Sequence, residues 1–258
     1  MIELAADLLN IATDAVLVGA LVFLRVGAMM AILPAFGERN VPERIRLVIA
    51  IAFTLIIAPG AAPIVSSAIE SGATMLALLG SEVLSGLILG IAIRLFVLAL
   101  QTAGAIAAQA TSLAQIFGNI VVDPQPALAN VMVIAGLALA VLLGLHIKVV
   151  EYVLLSFELF PPGHMPAPDH LMAWGASHIS EMFALAFVLA APFVVISLLY
   201  NLALGAINRA MPQLMVAFVG APAITMGALL ILAVSLPFLL GAWIAAMDAF
   251  FIDPFGAR

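Results

Sequence analysis

Ala73-Thr-Met-Leu-Ala-Leu-Leu-Gly-Ser-Glu82-Val-Leu-Ser-Gly86-Leu-Ile-Leu-Gly90-Ile-Ala-Ile-Arg94 is an apolar run with one carboxylate inside it and one cation at its end. Its apolar residues do not alternate with polar ones, so it does not have the pattern of a membrane β-strand. A run of about 20 such residues satisfies its backbone hydrogen bonds in lipid only as a helix. An apolar continuation extends it toward Ala110.

The rest of the chain repeats this pattern. Of 258 residues, 66% belong to the hydrophobic class and 9% are charged, with 8 Lys and Arg against 14 Asp and Glu. The mean hydropathy is +1.31. A soluble domain carries about 25% charged residues, so an ordinary cytosolic enzyme is excluded. The apolar content excludes a disordered chain. The absence of Cys excludes a disulfide-stapled fold, and the lack of a basic stripe excludes a nucleic-acid binder. An all-α polytopic membrane protein remains.

Pro, Gly and charge punctuate six expected spans: about 11–36, 45–58 (stopping at Pro59-Gly60), 73–94, 128–160 (ending at Pro161-Pro162-Gly163), 179–207 and 214–246. Tilt, protein burial or kinks at Pro34, Pro192, Pro222 and Pro237 would absorb their excess length. The N-terminus carries Glu3 and Asp7 and no basic region, so the first run reads as a retained helix rather than a cleaved signal. Arg39, Arg44, Arg46, Arg94 and Arg209 mark one side, whereas the connectors near 59–72 and 161–177 carry no Lys or Arg. The positive-inside rule then places the Arg-bearing turns in the cytoplasm and the N-terminus outside.

Arg25, Glu82, Lys148, Glu151, Glu181 and Asp248 fall in or near apolar segments. A central charge costs about 2.5–3.5 kcal/mol on insertion scales, so each needs a partner, an interface or water. Lys148 and Glu151 are three apart and share a helical face. The plainer reading is a self-neutralising pair. The sharper one, a proton or ion relay, requires several carboxylates or His around one cavity. His146, His164, His170 and His178 have no metal-ligand spacing and read as solvated loop residues. No nucleophile elbow, phosphate loop or dinucleotide fingerprint occurs, so neither catalysis nor a cofactor is expected.

Gly86 and Gly90 share a helical face, and Ala103, Ala107 and Ala110 continue a small-residue seam. Such seams let helix backbones approach closely, either within the chain or against another subunit. The 12 Met suit adaptable apolar linings or plain filling. Between Ser112 and Pro126 the chain is non-helical in pattern yet apolar, with Ile116, Phe117, Gly118 and Asn119 at its centre. That segment needs shielding by protein or a cavity to line, as a lid, a plug or a re-entrant packing loop.

Six blocks in order carry a resemblance. The first is Arg25-Val-Gly-Ala-Met-Met-Ala-Ile-Leu-Pro34 followed by Phe36-Gly37 and Val41-Pro42-Glu43-Arg44-Ile45-Arg46, and the second is Glu82 with Gly86 and Gly90. Leu143-Gly144-Leu145-His146 precedes Ser156-Phe157-Glu158-Leu159-Phe160-Pro161, and Asn208-Arg209-Ala210-Met211-Pro212-Gln213 precedes Val219-Gly220-Ala221-Pro222. Together these resemble the FliR family of flagellar and virulence type III secretion proteins. Two departures stand out. The family often has an acidic residue before the Gly-His of the fourth span, and its usual Met-Gly is replaced around Ala110-Thr111-Ser112.

The resemblance implies a non-enzymatic subunit of a protein-export gate in the bacterial inner membrane, at the flagellar basal body. It implies FliP-like and FliQ-like partners in a helical ring, an FlhB-like subunit, surrounding membrane lipid, and unfolded polypeptides as cargo. It implies a FliP-like part over 1–177 with a plug loop over 112–126, and a FliQ-like hairpin over 178–258 with its tip at 208–213. Ile116, Phe117, Gly118 and Asn119 would then help seal the channel. Arg25, Glu82, Arg94, Lys148, Glu151 and Arg209 would make contacts between helices or subunits, and Gly86 and Gly90 would pack helices. The alternative is a secondary transporter of a small solute, which predicts paired broken helices near the midplane. An intramembrane hydrolase would need a catalytic dyad, and no motif supplies one.

Overall fold

The computed structural model describes residues 2–38, 41–111, 127–165, 167–211 and 216–256. Seven helices run through them: α1 Ile2–Met30, α2 Glu43–Glu70, α3 Met75–Thr111, α4 Ala127–Leu142, α5 Leu145–Leu159, α6 Pro168–Ala210 and α7 Val216–Ile252. No strand occurs among the described residues. Five of the helices contain apolar stretches long enough to cross a membrane, and α4 with α5 would make a sixth span if the broken pair counts as one. The chain is an all-α polytopic membrane protein.

Three expected boundaries are corrected. The second span does not stop at Pro59-Gly60, because α2 runs through Pro59 and Pro63 to Glu70. Both prolines are exposed, opposite the buried stripe of Ala50, Thr54, Ile57, Ala61 and Val65. Their rings therefore interrupt the hydrogen-bond ladder only on the outer side, a defect that apolar helices accommodate. The fourth span is not continuous. Gly144 sits at φ +82°, a left-handed conformation open to glycine, and its N–H donates to Val141 O at 3.1 Å. The connector after Pro161-Pro162-Gly163 is shorter than expected, since α6 already begins at Pro168. Pro34 kinks no helix; it lies in the turn after α1.

The chain forms two compact units. The first comprises Met1–Leu95, Ala140–Ala176 and Asp253–Arg258. Its core combines a wide buried stripe on α1 (Val18, Leu21, Val22, Arg25, Val26, Met29, Met30) with Leu78, Ser81, Glu82, Ser85, Leu89 and Ile93 of α3. Gly86 and Gly90 bring the two backbones together. A Cβ at Gly86 would run into the Arg25 carbonyl oxygen, and one at Gly90 would lie 2.9 Å from Met29 O and 3.2 Å from Ile32 Cβ. The numbering rises together along this contact, so α1 and α3 are parallel. α2 returns antiparallel against α1, and α5 packs on α2, where a Cβ at Gly60 would meet Leu154 Cδ2 at 2.9 Å.

The second unit comprises Phe96–Leu139 and Ser177–Ile252. Ala129 approaches Gly104 too closely for any side chain there, and Gly136 makes room for Leu100. Trp243 is 1% exposed, and its indole N–H donates to Phe96 O at 2.8 Å. The Ser197 hydroxyl donates to Ala110 O, tying α6 to α3.

The seam makes a paired prediction. Gly86→Ala forces α1 away from α3 and should cost about 1–3 kcal/mol, as overpacking does. Gly19→Ala, where a Cβ meets nothing within 4 Å, should be neutral or stabilising. Thermal unfolding of the detergent-purified variants checks both, and equal midpoints would refute the close approach.

Candidate functional site

Arg25 lies on α1 five residues before its end, and its side chain points into unit 1 with 0% exposure, as does that of Glu82 on α3. An unpaired charge there would be prohibitive, and the geometry removes the cost. Arg25 Nε donates to Glu82 Oε2 at 2.8 Å and Nη2 donates to Oε1 at 2.7 Å, the two-pronged fork that suits a guanidinium to a carboxylate. Nη2 also donates to Phe160 O at 2.7 Å, and Nη1 donates to Ser156 Oγ at 3.0 Å. The Phe157 ring lies under the guanidinium, with Cζ 3.8 Å from its centroid. Phe160 terminates α5, so its carbonyl lacks the intrahelical partner that Arg25 replaces.

A second tie lies beside the first. Ser81 Oγ donates to Leu78 O at 3.0 Å and accepts the Gly163 N–H at 2.8 Å. Gly163 sits at φ +81° in the turn after α5. The C-terminal segment closes over the same end. Phe255 stacks on Tyr152 at 5.8 Å, meets Phe160 edge-on at 5.0 Å and lies 5.3 Å from Trp174, whose indole N–H donates to Pro254 O. One guanidinium therefore joins α1, α3 and the end of α5. Both Glu82 oxygens are engaged by Arg25, so this is a clamp rather than a reactive group.

Arg94 lies further down α3, about 18 Å from Glu82 at ~1.5 Å rise per residue. Its Nη1 donates to Glu38 Oε1 at 2.6 Å, with the two side chains 29% and 30% exposed. Arg46 Nη2 donates to Glu38 O at 3.0 Å. The turn between α1 and α2 is thus held to both α3 and α2. Pairs this exposed contribute about 0–1 kcal/mol.

The remaining candidates are dispersed. Lys148 is half-buried and Glu151 exposed, three apart on α5. Arg209 is exposed in the last turn of α6. Ile116, Phe117, Gly118 and Asn119 lie outside the described residues, as does the rest of the 112–126 segment. The reading of His178 as a solvated loop residue is corrected. It is 4% exposed on α6, stacked on Phe250 at 4.8 Å and 5.5 Å from the Phe96 ring. The cause is register, since His178 continues the buried stripe of Met182, Ala186 and Leu189. His146 and His170 are exposed but helical, on α5 and in the first turn of α6, and His164 is exposed in the turn between those helices. Sequence reasoning gave no role to Glu38, Ser156, Phe157 or Phe255. Of these, only Ser156 and Phe157 stood in a quoted block, and no charge or spacing marked them.

Fold and clamp define the class: a polytopic helical membrane protein whose first unit is fastened by a buried ion pair. Residues 16–250 match the family described as bacterial export proteins, family 1. The chain is 35% identical over 234 residues to the flagellar biosynthetic protein FliR of Caulobacter vibrioides, covering 88% of this chain and 92% of that protein. It is 30% identical over 204 residues to the FliR of Escherichia coli K12 (77% and 76%) and 29% over 212 residues to that of Bacillus subtilis 168 (78% and 79%). The chain belongs to this family of bacterial export proteins.

Removing one half of the clamp strands the other. Arg25→Met or Glu82→Met should each destabilise the protein by about 3–5 kcal/mol, while the double variant should lose less than either alone. Unfolding midpoints in detergent test this. Additive losses would mean that the two residues act independently.

Proposed function

We propose that this chain is a component of the flagellar protein-export apparatus of the bacterial inner membrane, acting as a gate subunit rather than an enzyme. Its family and its similarity to FliR proteins over most of their length support the export role. The observation that carries the assembly role is α6. Its 43 residues measure about 64 Å, against a hydrocarbon core of ~30 Å. Toward its end Leu198, Leu199, Leu202 and Ile207 are all exposed. Lipid covers one bilayer's worth of such a helix, and neighbouring subunits would cover the rest.

In this reading 1–177 serves as a FliP-like part and 178–258 as a FliQ-like hairpin with its tip at 208–213. FliP-like, FliQ-like and FlhB-like chains are the partners, and unfolded flagellar polypeptides are the cargo. Ile116, Phe117, Gly118 and Asn119 seal the channel until cargo arrives. The buried clamp is structural: it keeps unit 1 rigid while neighbouring chains assemble on its apolar outer faces. A small-solute transporter would call for paired broken helices, and the described residues contain one break, at Gly144.

Affinity purification of the tagged chain from its own cells should bring down FliP-like and FliQ-like proteins. A deletion strain should export no flagellin and regain export with the wild-type gene. Gly118→Trp should lower export or raise ion leakage with the complex intact. A chain that purifies alone, from a strain whose flagellar export survives its deletion, would overturn the proposal.

A further inference from the structure

Phe160 supplies Arg25 with a backbone acceptor, yet its φ of −122° and ψ of 77° lie outside the helical range. Its N–H still donates to Ser156 O at 2.8 Å, but the helix no longer sets where its carbonyl points. Something outside α5 must hold it. The Ser81–Gly163 bond fixes the turn three residues further on. The Phe160 ring itself is met edge-on by Phe255 at 5.0 Å, and Phe255 stacks on Tyr152, which is 2% exposed. The buried Pro254 accepts the Trp174 indole N–H at 2.9 Å.

Phe255 reaches unit 1 by way of unit 2. Asp253–Arg258 belongs to unit 1, whereas α7, which ends at Ile252, belongs to unit 2. Three residues span about 10 Å at full extension, so the ring takes its seat only when the end of α7 lies within that reach. A cavity of about 280 Å³ lies beside the ring, lined by Leu159, His170, Leu171 and Trp174 together with Phe160 and Phe255. A close-packed core leaves no such space. Phe255 therefore rests on aromatic faces and has room to leave them.

We propose that Asp253–Gly256 is a releasable strap: Phe255 positions the Phe160 carbonyl for Arg25, and this end of unit 1 closes only once α7 is in place. With the ring unseated, Tyr152, Phe160 and Trp174 lose their cover and Arg25 loses a fixed acceptor. A ring that merely covered apolar surface would have no linkage to Arg25 or to α7. The strap stands whether or not the chain takes part in export.

The chain holds two tryptophans, Trp174 and Trp243. In a Trp243→Phe background, acrylamide quenching of the detergent-purified chain reports on Trp174 alone. Phe255→Ala should raise that quenching, and Phe255→Tyr, which keeps the ring, should leave it low. In a thermal-unfolding cycle, Phe255→Ala and Arg25→Met together should lower the midpoint by less than the sum of their separate shifts. Should Arg25→Met fail to fold, Arg25→Lys, which keeps the charge and loses the fork, takes its place in the cycle. Met247 on α7 and Met132 on α4 are both buried in unit 2. Met247→Ala should raise Trp174 quenching well below the unfolding midpoint, whereas Met132→Ala should not. Additive midpoint shifts, quenching indifferent to Phe255→Ala, or equal quenching in the two methionine variants would each overturn the proposal.

Discussion

A guanidinium sealed from solvent must find acceptors within reach or the helix carrying it will not stay in place. Arg25 finds two carboxylate oxygens on α3, a hydroxyl on α5 and the carbonyl that ends α5. The rest of unit 1 follows from holding those acceptors still. α1 and α3 can approach closely enough only because Gly86 and Gly90 offer no side chains at the crossing. The end of α5 is held by the Ser81–Gly163 bond and by Phe255 packed on Phe160 and Tyr152. The ion pair does not of itself add much stability, since an apolar replacement of both partners can do as well. It makes one register of α1 on α3 far better than its neighbours, because a shift by one turn would strand both charges.

Unit 2 uses milder devices. An indole N–H on the Phe96 carbonyl, small residues at Gly104 and Gly136, and His178 among Phe96 and Phe250 fix α3, α4, α6 and α7 against one another. Its outward faces are covered in leucine, valine and phenylalanine, with Phe183, Phe187, Val188 and Phe238 all exposed. The apolar surface therefore continues outward, as expected of a chain completed by lipid and by other chains.

Much of the fold was legible because lipid imposes a coarse rule: long apolar runs become helices. The rule is silent where prolines decide. Pro59 and Pro63 are helix breakers by their chemistry, yet they fall on the outer face of α2, and only burial shows which face that is. Gly144 is one glycine among 19, and nothing local distinguishes it from Gly86, which stays helical. The charges of Arg25 and Glu82 stood out by their cost. Their pairing did not, because 57 residues separate them and the sequence does not encode which helices are parallel. His178 was misread for want of register, its place relative to Met182 and Ala186 being visible only once α6 is known to begin at Pro168.

We propose that this chain, clamped internally at Arg25 and Glu82, is completed externally by neighbouring subunits along α6. Its sequence contains no Cys, so single cysteines at Leu199, Leu202 and Ile207 would report on that helix alone. Thiol labelling of these positions should be rapid in the chain expressed by itself and strongly suppressed when FliP-like and FliQ-like subunits are co-expressed. Labelling that is the same in both settings would contradict the account.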